Sequence, residues 1–169
     1  PKFGIRGFDR QEHVHDCDQP EMMPLLKEIR DILDSFPERY AVGETFNSTA
    51  KKASGYTGKD ALHAAFNFGL LNSKWKPEAV LKFILEWEQS VGAEGTPNYV
   101  LNNHDNPRTS IRFHTGEKDD LLKTAAALLL TQRGTPFLYY GEEIGMRDIP
   151  IRRRSEIQDP VGRRFYPFY

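Results

Sequence analysis

A single cysteine, Cys17, stands among 169 residues, so no disulfide can close within the chain. That scarcity fits a reducing compartment, and a cytoplasmic setting is expected. No apolar run approaches the roughly 20 residues of a membrane-spanning helix, so no membrane partner is expected. Neither sign of charge prevails. Against 23 Lys and Arg stand 24 Asp and Glu, a net charge of -1, which argues against nucleic acid as a partner. No Gly-rich phosphate cradle precedes a helix, no Ser/His/Asp arrangement stands out, and neither repeats nor low-complexity segments are present. The start, Pro1-Lys2-Phe3-Gly4, carries neither Met nor a leader pattern, and the chain is expected to be cut from something longer.

What is present is enough for a core: 38% hydrophobic and 12% aromatic residues, in a length that suits one domain over residues 1–169. Residues 1–17 read as loop. Asp18 is a candidate N-cap with Glu21 at capping-box spacing and Pro20 in the first turn. Met22, Leu25, Leu26, Ile29, Leu33 and Phe36 then give one apolar stripe of a helix ended by Pro37. Tyr40–Glu44 reads as a strand, 46–60 as a loop with room for a short helical turn, and Ala64–Leu70 as a weaker strand. Pro77 opens a second helix, with Val80, Leu81, Ile84, Leu85 and Val91 on one side and Gly92 beyond its end. Asn98–Asn102 is a third strand, 117–133 a third helix closed by Gly134, and Phe137–Tyr140 a fourth strand. Residues 141–169 read as largely loop, rich in charge. Strands alternating with helices predict an α/β fold with a parallel sheet. An eight-stranded barrel needs about 250 residues, so these four units suit half of one, with its helices as cover.

Two runs end in carboxylates. Tyr40-Ala41-Val42-Gly43-Glu44 closes on an acid, and Tyr99-Val100-Leu101-Asn102-Asn103 leads into His104-Asp105-Asn106-Pro107-Arg108. Acids at the C-terminal ends of buried parallel strands face the mouth of a barrel or the crevice of an open sheet. Paired carboxylates are what glycoside cleavage needs. Glu44, expected to be partly desolvated at a strand rim, suits a general acid for the leaving oxygen. Asp105 suits charge stabilisation beside an electron-poor carbon. His104 and the flanking asparagines carry donors and acceptors for sugar hydroxyls, and Arg108 is a further binding candidate or a pin for an acid. The competing readings are a capping or ion-paired Glu44 and a plain Asn/Asp-rich turn. Tyr139 or Tyr140 can stack on a sugar ring, and Glu142 or Glu143 can shape the mouth, although an ordinary core strand explains them as well. His13-Val14-His15-Asp16-Cys17-Asp18 carries metal-ligating types, but no second cluster completes a four-ligand set, so a polar loop, and neither metal nor cofactor, is expected. The arginines at 147, 152–154, 163 and 164 alternate with Asp148, Glu156 and Asp159 and read as a solvated loop.

Taken in order, Val42-Gly43-Glu44, Asn102-Asn103-His104-Asp105-Asn106-Pro107-Arg108 and Gly134-Thr135-Pro136-Phe137-Leu138-Tyr139-Tyr140-Gly141-Glu142-Glu143-Ile144-Gly145-Met146 resemble the second half of glycoside hydrolase family 13, the α-amylase superfamily. Asp16–Glu21 and Ser155–Pro160 look like its α-glucosidase and oligo-1,6-glucosidase branch. The resemblance implies strands five to eight of a (β/α)8 TIM barrel and a retaining cleavage of α-glucosidic bonds in short oligosaccharides. It implies Glu44 as general acid/base, Asp105 as transition-state stabiliser and His104 as a sugar ligand. The family's nucleophile, an Asp in a Gly-Phe-Arg-x-Asp string, has no match; Gly7-Phe8-Asp9 lacks the Arg. The chain by itself is therefore expected to be inactive. A non-catalytic sugar-binding or partner-subunit relative is the alternative, as is a chance match to another acid-dependent hydrolase. Half a barrel leaves sheet edges open, so self-association is expected.

Overall fold

The computed structural model describes residues 7, 10–45 and 49–166. Its elements run α1 (Met22–Asp34), β1 (Val42–Glu44), α2 (Ala50–Gly55), β2 (Ala64–Phe66), α3 (Gly69–Asn72), α4 (Pro77–Val91), β3 (Asn98–Val100), α5 (Thr109–Arg112), α6 (Asp119–Thr131), β4 (Thr135–Phe137) and α7 (Pro160–Phe165), with 3₁₀ turns at Glu142–Ile144 and Arg154–Glu156. Three of the expected strands are present in shortened form, the end of the second giving way to α3, while the fourth lies upstream of its expected place and shares only Phe137 with Phe137–Tyr140. The alternation of helix and strand is as read from the sequence. Two compact units result, one reaching to Tyr99 and including Gln132–Pro136, the other comprising Val100–Thr131 and the chain from Phe137.

In the first unit, β1 and β2 pair in parallel with Val42 opposite Ala64 and Glu44 opposite Phe66. Ala53, Ala61, Ala64, Ala65, Leu70 and Leu71 are buried around them. α4 supplies the largest inward group. Val80, Phe83 and Trp87 are buried, whereas Leu81 and Leu85 are more than half exposed. The buried face is therefore rotated from the expected apolar side. The reason is the aromatic volume at i+3 and i+7 from Val80, together with the Trp87 indole N–H, which donates to Asn98 O at 2.9 Å. Phe83 meets Tyr99 edge-on at 6.4 Å. β3 and β4 are hydrogen-bonded neighbours, and Thr135 N donates to Pro97 O at 2.9 Å. Gly134 permits this approach. Its φ is +101°, and a Cβ there would lie 2.0 Å from Pro97 O.

α1 departs from expectation twice. Asp18 does not cap it. The residue takes φ +52°, and its carboxylate accepts from Lys52 Nζ at 2.5 Å and Tyr56 Oη at 2.7 Å. Partners distant in sequence have outcompeted the local cap; Glu21 stands at the N-cap without a side-chain bond. Nor is the apolar stripe buried: no residue of α1 is, and Leu25, Ile32 and the following Phe36 are 50%, 57% and 57% exposed. The helix is clasped by its polar side instead. Arg30 Nε donates to both Asp34 oxygens at 2.9 and 2.8 Å, and its Nη1 reaches Gly58 O at 3.0 Å and Ala61 O at 3.3 Å. His63 Nδ1 accepts from Ala41 N at 3.1 Å, which leaves Nε2 to face Asp34 Oδ1 at 3.3 Å.

The second unit buries Val100, Leu101, Phe113, Ala125 and Leu129. Its tail, expected to be largely loop over residues 141–169, also carries the short helix α7. Asp159 caps α7 through Gly162 N, with Pro160 in the first turn. Among the described residues no helix is long and apolar enough to cross a membrane.

Candidate active site

Glu44 is the last residue of β1, and its side chain is exposed. The expected partial burial at the strand rim is not observed. The next residue turns back: Thr45 Oγ1 donates to Phe66 O at 2.7 Å, which fixes the backbone just beyond the acid. Beneath the acid the packing is close. A side chain at Gly43 would meet Leu62 Cδ1 at 2.8 Å, so Leu62 would have to move. Residues 46–48 lie outside the described residues, as do Phe8 and Asp9 of the Gly7-Phe8-Asp9 string.

The second unit carries the other three expected residues on one loop. Val100, Leu101 and Asn102 are buried, and the chain then turns. Asn103 Oδ1 accepts from Asp105 N at 3.2 Å and from Asn106 Nδ2 at 2.8 Å, an Asx-type turn. That turn presents His104 and Asp105 to solvent, their side chains 72% and 60% exposed, with Nε2 and Oδ1 3.5 Å apart. An imidazole and a carboxylate held side by side offer both a donor and acceptors to a polyol.

Arg108 is placed differently. It is 7% exposed. Its backbone N donates to Asp148 Oδ2 at 2.7 Å, and its Nη1 to Tyr140 O at 2.9 Å. The guanidinium sits over the Tyr139 and Tyr140 rings, 5.2 and 5.0 Å from their centroids. These contacts tie the loop's end to the chain after β4. Tyr139 and Tyr140 thus receive the arginine, with their rings edge-on to each other at 4.6 Å.

Beneath the loop lies a group whose role sequence reading placed only loosely. Glu142 accepts from Asn102 Nδ2 at 2.5 Å through Oε1 and from Tyr139 N at 2.8 Å through Oε2. Asn102 Oδ1 in turn accepts from Thr109 N at 2.7 Å. Burial pushes the Glu142 carboxyl above its ordinary value, while the Tyr139 N–H, Asn102 and the charges of Arg112 and Arg108 pull the other way. Arg112 was not foreseen at all. Its Nε donates to Pro107 O at 2.9 Å and its Nη2 to Leu101 O, so it brackets both ends of the turn. Asn102 and Glu142 are forty positions apart, and no spacing rule announces such a pair.

Comparison with known proteins gives the following. Residues 6–163 match the family model described as alpha amylase, catalytic domain. The probable alpha-glucosidase of Rhizobium meliloti (strain 1021) is 31% identical over 169 aligned positions, covering 96% of this chain and 30% of that protein. The oligo-1,6-glucosidase of Bacillus cereus is 29% identical over 162 positions, covering 87% of this chain and 29% of that protein. Among solved structures, the alpha-glucosyl transfer enzyme XgtA superposes with a TM-score of 0.81 at 29% identity, over 89% of this chain and 28% of that one. The chain thus spans under a third of the length of these relatives.

Proposed function

The chain belongs to the α-amylase catalytic-domain family, with a partial (β/α) barrel as its fold, and from that premise we propose that it supplies the general acid/base and a second carboxylate to an α-glucosidase-type hydrolase acting on short α-linked oligosaccharides. In this reading β1 to β4 are strands five to eight of the barrel, and the 169 residues act as part of one catalytic domain in a reducing, cytoplasmic compartment. Glu44 gives its proton to the leaving glycosidic oxygen and then takes one from water. Asp105 holds negative charge against the oxocarbenium-like carbon, and His104 binds a sugar hydroxyl. Arg108, proposed from the sequence as a substrate ligand, borders the sugar through the loop it holds. No cofactor takes part.

The observation that carries this reading is the loop after β3. It exposes His104 and Asp105 while Asn103, Arg108 and Arg112 fix it at its base. Exposed polar groups on a rigid support are what sugar recognition requires, since the ordering cost has been met before the ligand arrives. A retaining enzyme also needs a nucleophilic carboxylate about 5 Å from the acid/base. No Arg-x-Asp string occurs in the 169 residues. The chain alone is accordingly expected to leave p-nitrophenyl α-glucoside intact, and turnover abolished by Glu44→Gln would overturn that expectation.

A chimera tests the assigned roles. Residues 6–163 would replace the matching segment of the Bacillus cereus enzyme. The expected result is hydrolysis of p-nitrophenyl α-glucoside that falls by roughly 10²–10⁴ on Glu44→Gln, the range for loss of general acid–base catalysis. A folded chimera that turns over equally well with Gln at position 44 refutes the reading.

A further inference from the structure

In the first unit, the turn before α1 gathers three ligand types. His13 Nδ1 lies 2.9 Å from Asp16 Oδ2. One donor atom from each of His13, Asp16 and Cys17 falls within 4.8 Å of the other two. We propose that His13, Asp16 and Cys17 form a binding site for a single zinc-class divalent cation.

The argument is geometric and chemical. A tetrahedral ion with bonds of about 2.0–2.3 Å holds its donors roughly 3.3–3.8 Å apart. The His13–Asp16 pair, at 2.9 Å, is slightly closer than that span and no pair exceeds 4.8 Å, so small side-chain rotations bring the three atoms onto one ion. Residues 14–16 form a turn; it folds His13 back over Asp16 and Cys17, which extended backbone would not do. The donor set selects the metal. A thiolate with an imidazole and one carboxylate is a borderline-soft set that suits Zn²⁺, and Co²⁺ as its spectroscopic substitute. Ca²⁺ and Mg²⁺ prefer sites built from oxygen alone. With three protein ligands the fourth position is left to water.

The turn is also braced from outside the ligand set. Gln19 Nε2 donates to Cys17 O at 2.7 Å. The next residue, Asp18, is held by Lys52 and Tyr56 of the segment around α2, so the backbone carrying the thiol is anchored on its far side. Metal binding replaces the His13–Asp16 hydrogen bond with metal–ligand bonds; the Nδ1 proton moves to Nε2, or to solvent from a protonated ring, and the Cys17 thiol proton goes to solvent. Sequence reading looked for two ligand pairs, the pattern of a closed four-ligand site. A three-ligand site needs one cluster, and the turn provides it.

The test is titration of the untagged 169-residue chain with Zn²⁺ by calorimetry, and with Co²⁺ followed by absorbance. One ion per chain, a thiolate-to-Co²⁺ charge-transfer band, and affinity reduced at least about tenfold in both Cys17→Ser and Asp16→Asn are the expected results. Both positions are exposed, so neither variant threatens the fold, and circular dichroism verifies that. Absence of saturable binding, a Co²⁺ complex without the thiolate band, one ion shared by two chains, or unchanged affinity in either variant would overturn the site.

Discussion

Asn102 and Tyr99 show what single polar side chains do for this molecule. Asn102 is 3% exposed and uses both ends of its amide, giving Nδ2 to Glu142 and taking Thr109 N on Oδ1. Alanine there would strip a buried backbone N–H of its partner and take a donor from a half-buried carboxylate. Each such loss costs about 1–3 kcal/mol, so Asn102→Ala is expected to destabilise the second unit by roughly 2–4 kcal/mol in urea unfolding. Asn106→Ala, at the more open side of the turn, should cost far less. Tyr99 makes the pH-dependent case. Its hydroxyl donates to Glu88 Oε1 at 2.6 Å, and burial, then that bond, push the phenol well above its ordinary value of 10.0. A folded value above the unfolded one means stability that is complete below pH about 10 and is lost as pH rises toward the folded value. Alkaline unfolding should therefore begin near pH 10. Tyr99→Phe should lower stability at neutral pH by about 1 kcal/mol and flatten the alkaline slope.

At the scale of elements, α1 inverts the usual expectation about which face of a helix matters. Its apolar stripe is open, and its hold on the first unit is the Arg30 clasp to Asp34, Gly58 O and Ala61 O. Arg30→Ala is expected to destabilise α1 by about 1–3 kcal/mol, because two backbone carbonyls and a carboxylate lose charged donors together. Ile32→Ala, at a 57% exposed position, should stay within about 0.5 kcal/mol. Amide hydrogen exchange along Met22–Asp34 separates the two variants, and equal protection in both would refute the polar clasp. This helix also marks the boundary of what sequence could tell. The long helices and the first three strands are legible, because apolar runs, Pro77 and Gly92 are local signals, whereas β4 begins two residues before the Phe137–Tyr140 run. Which face of α4 turns inward is not legible, because Trp87 answers to a carbonyl eleven residues away. Asp18 misled for the same reason: its partners, Lys52 and Tyr56, are set by tertiary structure. The polar turn at residues 102–108 is legible as a loop dense in polar side chains. Its supports, Glu142 and Arg112, reach it only through the fold. α7 went unread even though Asp159-Pro160 is a local start signal, since six residues in a charged tail carry too little periodicity to stand out.

For the whole molecule the main question is what a chain of this make-up does in solution. Among the described residues the strands lie in two sheets of two, β1 with β2 and β3 with β4. Two-stranded pairs expose backbone donors and acceptors along their outer edges. The first unit adds apolar surface that its own core does not cover: Leu25 and Ile32 of α1, and Phe36 just beyond it. Unpaired edges recruit further strands, and exposed apolar side chains reward any contact that removes them from water by about 25 cal/mol per Å². The near-zero net charge of -1 supplies little long-range repulsion to oppose either. Self-association is the expected outcome. Sedimentation velocity over a concentration series should show the mean sedimentation coefficient rising with concentration. Placing charge on the open helix face by Leu25→Glu and Ile32→Glu should reduce that rise without loss of helix content, because neither side chain belongs to the buried core. A single compact monomer across the whole series would mean that the edges and the α1 face are covered within one chain, and the association argument would fail at its premise.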